Sequence, residues 1–297
     1  MKRSLSIFFS PFLVMFSPDS FSDKALTAGY AKLIALSSTN DISASTLHSD
    51  GLEYSKYSLP YTFKNIYNEG DYSFNIQIRG NYLKVKSDVI DINSSNTLRS
   101  RWNILNLTTS PQITYNIDKN LSLEGEVELG YSNMKNNSSF HGEDDIKIGL
   151  REEKLLDWDI NAVNITPKIG IVNKNTLNNG NKIKLHTHVS YMFMESVGNK
   201  SDIKINNNIG TWSTGGEYTI TNAFAIKDNP FDIIVSNDIG GFYGNSYRDL
   251  SFGFINNTSL ALETPIDINN TEFKIKIGLG YLYSDNAHGI TFIIGIN

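Results

Sequence analysis

The stretch from His186 to Ser190 combines side chains that could perform acid–base and nucleophilic chemistry. His186, His188 and Ser190 occupy every second position, so a β-strand would place all three on one face. An imidazole beside a hydroxyl can act as its general base when a third group orients the imidazole. No third group accompanies this motif in the sequence, so catalysis by His188 and Ser190 is an alternative and not the main expectation.

Metal binding and ion conduction are two further uses of these residue types. The two histidines could bind a metal ion together with Glu126 or Glu128, but two ligands at this spacing indicate little without a third. Glu124, Glu126 and Glu128 share one face of another alternating segment and could line an ion-selective path. Lysines elsewhere in the chain can oppose them. A mixed-charge network is therefore favoured, and no metal or cofactor is expected.

Strands must position these side chains, and the clearest alternation lies at the C-terminal end of the chain. Alternate residues from Phe273 to Tyr283 are apolar or aromatic, and the alternation resumes from Ile290 to Ile296. The residues between the first set are charged or very small, namely Lys274, Lys276, Gly278 and Gly280. A transmembrane barrel exposes its apolar face to lipid and its polar face to the lumen, whereas a soluble sandwich buries its apolar face. We interpret this pair as the closing strands of a transmembrane barrel.

Alternating segments separated by Asn, Asp, Gly and Ser clusters continue through most of the chain. Eleven segments can be counted from Leu52 to Asn297, but bacterial single-chain barrels have an even number of strands. A strand at about Gly29 to Ser38 would complete an even set, and a short helix from Asp23 to Ser38 is the alternative. The prediction is an all-β fold, an antiparallel transmembrane β-barrel of about 12 strands that occupies residues 23–297.

The first 22 residues have the features of a secretory signal peptide. Lys2 and Arg3 precede an apolar stretch from Ile7 to Phe16, and small residues from Ser20 to Ser22 suit a signal peptidase. The absence of cysteine from the sequence excludes a cysteine-ligated metal. A formal net charge of −5 gives no reason to expect a nucleic-acid partner.

Three short motifs are similar to those of a known barrel family. They are Gly210-Thr211-Trp212-Ser213 leading into Gly216-Glu217-Tyr218, then Gly278-Leu279-Gly280-Tyr281, and the terminal Gly289 to Asn297. On these motifs the chain resembles the solitary outer-membrane autotransporter-like β-barrels. The resemblance implies a barrel in the cell outer membrane without a passenger domain. One departure is that the chain ends in Ile296-Asn297, whereas outer-membrane proteins usually end in an aromatic residue that the assembly machinery recognises.

The expected function is that of a structural or narrow-pore outer-membrane protein that is not an enzyme. Its expected partners are outer-membrane lipid, lipopolysaccharide and the barrel-assembly machinery. The lumen-lining candidates are Glu124, Glu126, Glu128, Lys182, Lys184, His186, His188, Ser190, Lys274 and Lys276.

Two alternatives remain open on the sequence. One is an outer-membrane lipid hydrolase that uses His188 and Ser190. It conflicts with the facing of the strand, because Val189, Tyr191 and Phe193 would meet lipid and the polar pair would point into the lumen. The other is a soluble secreted β-sandwich or adhesin, whose apolar face would be buried.

Overall fold

Alternating apolar and polar side chains form long antiparallel strands along most of the chain. The computed structural model describes residues 42–49, 51–93, 95–152, 155–198, 204–227, 229–243, 253–268 and 271–296. The elements in chain order are β1 (Ile42–Ser49), β2 (Leu52–Glu69), β3 (Tyr72–Ser87), β4 (Ile90–Asn93), β5 (Asn96–Arg99), β6 (Arg101–Asn116), β7 (Leu121–Asn136), β8 (Ser139–His141), α1 (Asp144–Glu152), β9 (Trp158–Thr176), β10 (Lys182–Val197), β11 (Asn206–Ile226), β12 (Asn229–Tyr243), β13 (Phe254–Ile268), β14 (Thr271–Ser284) and β15 (Ala287–Ile296).

All of these strands except β4, β5 and β8 form one closed barrel, in the order β1-β15-β14-β13-β12-β11-β10-β9-β7-β6-β3-β2. Every pairing in the barrel is antiparallel, and β1 closes the sheet by pairing with β15 from Ile42–Ile294 to Ser49–Ala287. The prediction of an antiparallel barrel of about 12 strands is therefore confirmed. Among the residues that the structure describes, no helix has the length and apolar character to cross a membrane.

The apolar face of each strand points outward, as a barrel in lipid requires. Large side chains on this face are widely exposed, for example Leu59 at 66%, Ile277 at 63% and Leu105 at 60%. Such a band would be unstable against water, because exposed apolar patches on soluble proteins rarely exceed a few hundred Å². The soluble β-sandwich alternative is therefore wrong, since the sheet closes on itself and keeps its polar face inside.

The two ends of the barrel differ in the connections between strands. At one end, which we call the turn end, strands are joined by short segments such as 70–71, 117–120 and 177–181. At the other, the loop end, residues 88–100 carry β4 and β5, and residues 137–157 carry β8 and α1. Strands β4, β5 and β8 pair into a small sheet of their own. Bacterial barrels have short periplasmic turns and longer extracellular loops, so the turn end corresponds to the periplasmic side.

The strand that completes the barrel lies at Ile42–Ser49, whereas the strand predicted at about Gly29 to Ser38 falls outside the described residues. Strand β1 pairs with both β2 and β15, so it supplies the strand that the even count requires. Its outward residues include Ala44 and Thr46, which are too small or polar to give a clear apolar alternation. The segment Asp23 to Ser38 and the predicted signal peptide, residues 1–22, lie outside the described residues.

Two matching bulges interrupt the barrel strands near the turn end. In β2 the register shifts around Asn65, and in β11 it shifts around Asn222. Both asparagines have positive φ, 55° and 51°. The backbone N–H of Asn65 donates to Asn75 Oδ1 at 2.8 Å, and that of Asn222 donates to Asp232 Oδ1 at 2.8 Å. A side-chain oxygen on the neighbouring strand thus replaces the ladder bond that each bulge loses.

Candidate functional site in the barrel lumen

The structure places all of the predicted lumen-lining residues on the inner face of the barrel. Along each of their strands, the residues that alternate with them are outward and exposed, such as Leu123, Val127 and Leu129 on β7. Most of the candidates have a polar partner on another strand. Lys274 Nζ lies 3.4 Å from Glu263 Oε1, and Lys276 lies opposite the same glutamate in the register. Lys182 and Lys184 are exposed near the turn end.

Two histidines on β10 reach in opposite directions around the wall of the lumen. His188 Nε2 lies 3.1 Å from Glu124 Oε2 on β7, and His186 Nε2 lies 3.1 Å from Asp238 Oδ1 on β12. In each case one strand lies between the two partners, and the residue of that strand in register with both partners is a glycine. Gly170 on β9 is in register with both His188 and Glu124. Both imidazoles therefore belong to polar rows that cross three strands.

The intervening glycines are required by the close approach of these side chains. A Cβ added at Gly170 would lie 2.0 Å from Cδ2 of His188. On the other side, Gly215 of β11 is in register with His186 and Asp238, and a Cβ there would lie 2.0 Å from Asp238 Oδ1. The rings of His186 and His188 are 5.4 Å apart, so the two rows meet on β10.

Ion pairs extend these two rows to the neighbouring strands, and we call the rows and the ion pairs together the charged belt. Arg79 Nη1 lies 2.8 Å from Glu128 Oε2, with side chains only 3% and 7% exposed. The Arg79 guanidinium also donates to Gln77 Oε1. Lys168 Nζ lies 3.3 Å from Glu126 Oε2. Each of the three candidate glutamates of β7 is therefore matched by a basic or imidazole group, as the mixed-charge interpretation predicts.

A chain of neutral polar groups lies between the charged belt and the loop end. The hydroxyl of Ser58 donates to Asn81 Oδ1 at 2.8 Å, and Asn81 Nδ2 donates to Asn106 Oδ1 at 3.0 Å. Asn106 Nδ2 donates in turn to Ser132 Oγ at 2.8 Å. All four residues are buried. This row of hydrogen bonds crosses β2, β3, β6 and β7 and gives each side-chain amide at least one partner, as buried polar groups require.

The loop end of the lumen is filled by apolar side chains, which we call the apolar cap. Its members are Leu47, Leu52, Tyr54, Leu83, Val85, Trp102, Ile104, Met134, Trp158, Ile160, Ala162, Met192, Met194, Ile205, Ile209, Phe242 and Ala287. Ile255 of β13 and Leu282 of β14 pack against them, so every barrel strand contributes to the cap or its edge. Four members, Val85, Ile104, Met134 and Ile209, have no solvent exposure.

The sequence interpretation did not identify this cap. Toward the loop end of β3, β6 and β7 the inward positions become apolar while the outward positions become polar, so the alternation continues with its phase reversed. Alternation by itself does not show which of two faces meets lipid. The recurrence of this reversal at the same end of successive strands is the signal that was available.

The hydrolase motif is not assembled as a catalytic pair. His188 faces Glu124, and Ser190 Oγ shares a hydrogen bond of 2.6 Å with Thr211 Oγ1. Both side chains point into the lumen, away from the lipid-facing Val189. The carboxylate that meets His188 is Glu124, whereas Glu126 and Glu128 have basic partners. In the described part of the chain, no group of three or more His, Cys, Asp or Glu side chains could hold a metal ion.

A closed antiparallel barrel with an apolar exterior and paired charges inside its lumen defines an integral β-barrel of the outer-membrane type. A sequence model of the solitary outer membrane autotransporter β-barrel domain matches residues 35–259, which is more than half of the chain. The chain therefore belongs to the solitary outer membrane autotransporter β-barrel family, and the expected resemblance is confirmed. A search of curated proteins finds no match.

Solved structures of autotransporter barrels have the same fold. The translocator domain of NalP from Neisseria meningitidis superposes with a TM-score of 0.57 at 7% identity, over 97% of this chain and 99% of that one. The β-domain of Bordetella BrkA gives 0.56 at 9%, over 86% and 95%. The transport unit of Escherichia coli AIDA-I gives 0.53 at 12%, over 98% and 99%. The protein is thus an autotransporter-type barrel of the outer membrane.

Proposed function

We propose that this protein is a structural outer-membrane barrel whose lumen is sealed against ions and small solutes. The apolar cap carries the proposal. An ion that crossed it would have to shed its hydration among side chains with no exposure to solvent, such as Val85, Ile104 and Met134. Hydrophobic constrictions of this kind block conduction by excluding water. The narrow-pore hypothesis would require a continuous water-filled channel past these residues.

The charged belt, which lies between the cap and the turn end, supports the same proposal. Its acidic and basic groups are paired with one another across the wall, for example Glu126 with Lys168 and Glu128 with Arg79. A selectivity filter presents a ring of charge of one sign to a passing ion. Matched pairs instead stabilise a filled lumen, which is the role that we assign to the belt.

Planar-bilayer recording of the refolded protein tests this function. Refolding is first verified by a heat-modifiable band on a gel, and the parent barrel is then expected to insert without discrete current steps. A variant with Val85→Thr, Ile104→Thr and Met134→Gln makes the cap polar with the loss of only one side-chain heavy atom, at Ile104, and it should conduct. The matched control carries Leu105→Thr, Leu107→Thr and Leu129→Gln on the lipid-facing side. Discrete steps from the folded parent would contradict the proposal.

We also propose that the protein is not a lipid hydrolase. The separate partners of His188 and Ser190 support this, because a general base must lie within hydrogen-bond reach of the nucleophile that it activates. The parent and a Ser190→Ala variant are incubated with phospholipid and with lipid A, and the products are measured by mass spectrometry. Neither protein should release fatty acid. Cleavage by the parent that the substitution abolishes would restore the enzymatic alternative.

A further inference from the structure

The outer wall of the barrel carries a group of basic side chains at its loop end. They are Lys84 and Lys86 on β3, Arg101 on β6 and Lys135 on β7, and we call them the basic rim patch. Lys84 and Lys86 alternate with the inward Leu83 and Val85, which places them on the outer face. In the register, Lys86 lies opposite Arg101, and Asn103 lies between Lys84 and Lys135. The four bases thus occupy three adjacent strands.

This arrangement leaves part of the positive charge without an acidic partner among the described residues. Lys86 and Arg101 are a directly opposed cross-strand pair of like charge, which is destabilising unless an anion neutralises it. Within the described ranges, Lys84 and Arg101 have no ion-pair partner, and Arg101 Nε is buried without a hydrogen-bond acceptor. Two acidic residues flank the patch. Glu53 lies 3.7 Å from Lys86, and Asp159 lies 3.7 Å from Lys135.

The patch lies at the height where the lipid-facing surface becomes polar. Leu105 and Leu107 on β6 are exposed apolar residues, and Asn103 and Arg101 follow them toward the loop end. Tyr82 marks the boundary, because its hydroxyl donates to Asn103 Oδ1 at 2.8 Å. Aromatic residues of barrels form girdles at the headgroup level. The patch therefore lies at the headgroups of the outer leaflet.

We propose that the basic rim patch binds the phosphate groups of lipopolysaccharide in the outer leaflet. Ammonium and guanidinium groups are the usual phosphate ligands of proteins, and a guanidinium can contact two phosphate oxygens. Four basic against two acidic residues leave a net charge of +2, which suits a lipid that carries more than one phosphate. Because Asn103 Oδ1 accepts from Tyr82, its amide N–H groups remain available to a phosphate oxygen.

Native mass spectrometry of the full chain in detergent can test this site. The probes are synthetic diphosphoryl lipid A and the same lipid with both phosphates removed. The test variant carries Lys84→Gln, Lys86→Gln and Arg101→Gln. The control variant carries Lys174→Gln, Lys182→Gln and Lys184→Gln, which removes the same charge from the inner face near the turn end. Heat-modifiability verifies that each variant is folded.

The parent should prefer the diphosphoryl lipid, and the test variant should bind it between about tenfold and about a hundredfold more weakly. The control variant should stay within about twofold of the parent, and added salt should weaken binding by the parent. Equal losses in both variants, equal binding of the dephosphorylated lipid, or full displacement by equimolar inorganic pyrophosphate would each overturn the proposal. The sealed-lumen function does not depend on this result, because the two sites lie on opposite faces of the wall.

Discussion

Replacing Glu128 by Gln should destabilise the barrel by about 3 kcal/mol, the lower end of the cost of breaking a buried ion pair. The two charged atoms of Arg79 and Glu128 are 2.8 Å apart and almost fully buried. At an effective dielectric constant of about 20, their attraction amounts to roughly 6 kcal/mol. The substitution removes that attraction while Arg79 keeps its charge in a site with little solvent. The Gln oxygen can still accept one hydrogen bond, which recovers part of the loss.

The chain contains a second ion pair that separates the effect of burial from that of distance. Arg151 Nη2 lies 2.7 Å from Asp157 Oδ2, but these side chains are 52% and 48% exposed. Asp157 has a φ of 56°, a conformation that asparagine also tolerates. Asp157→Asn should therefore cost less than about 1 kcal/mol, because water screens the exposed pair.

Equilibrium unfolding in denaturant, with the barrel in lipid vesicles, measures these changes. A third variant, Arg79→Met with Glu128→Gln, should recover much of the stability lost in Glu128→Gln, since no buried charge is left without its counter-ion. A loss of less than about 1 kcal/mol in Glu128→Gln would refute the reasoning, and so would a double variant that is no more stable than Glu128→Gln alone.

Three further predictions concern the lumen wall, a bulge and a turn. Gly170→Ala should cost about 1–3 kcal/mol in the same unfolding assay, because its Cβ would displace the His188 ring, whereas Gly80→Ala, with open space around it, should change stability little. Asn65→Ala should cost roughly 1 kcal/mol more than Asn65→Gly, since the bulge holds this residue at positive φ. In the turn after β6, backbone N–H groups of Asn120 and Leu121 donate to Asp118 and hold its pKa below the usual value. Ionised Asp118 therefore stabilises the fold above its unfolded pKa, and this contribution declines as the pH falls through its folded pKa. The stability difference between the parent and Asp118→Ala should shrink between pH 6 and pH 3, and a constant difference would contradict this.

Alternation predicted those strands whose outer residues are large and whose inner residues are polar. The segments Leu121 to Met134 and Lys182 to Met194 correspond closely to β7 and β10, because both face lipid on one side and the charged belt on the other. Strand β1 was not identified from the sequence because ISASTLHS has small and polar residues on both faces. Its position depends on pairing with β15, which is almost 250 residues away and leaves no local signal.

The lumen-lining residues could be predicted individually but their partners could not. Facing follows from parity within one strand, so the inward direction of Glu124 and His188 was available from the sequence. Their contact depends on the register of β7, β9 and β10 and on the glycine between them. The loop between β7 and β9 contains α1, whose first turn holds Asp144 and Asp145. Acidic residues at that position stabilise a helix through its dipole, which a charge run alone does not indicate.

The charged belt and the apolar cap solve two different problems in one lumen. Side chains readily fill the interior of a barrel of roughly eight strands, and this barrel has more strands and therefore a wider lumen. Long or bulky inward residues are needed to fill it. If all of them were apolar, both faces of every strand would be apolar, and a slip of one residue in register would carry little penalty. With Arg79, Glu124 and Glu128 in the belt, the same slip would turn charges into lipid, at a cost of up to about 2–4 kcal/mol for a basic group near the midplane. The belt therefore fixes which face meets lipid, which leaves the loop end free to be apolar and closed.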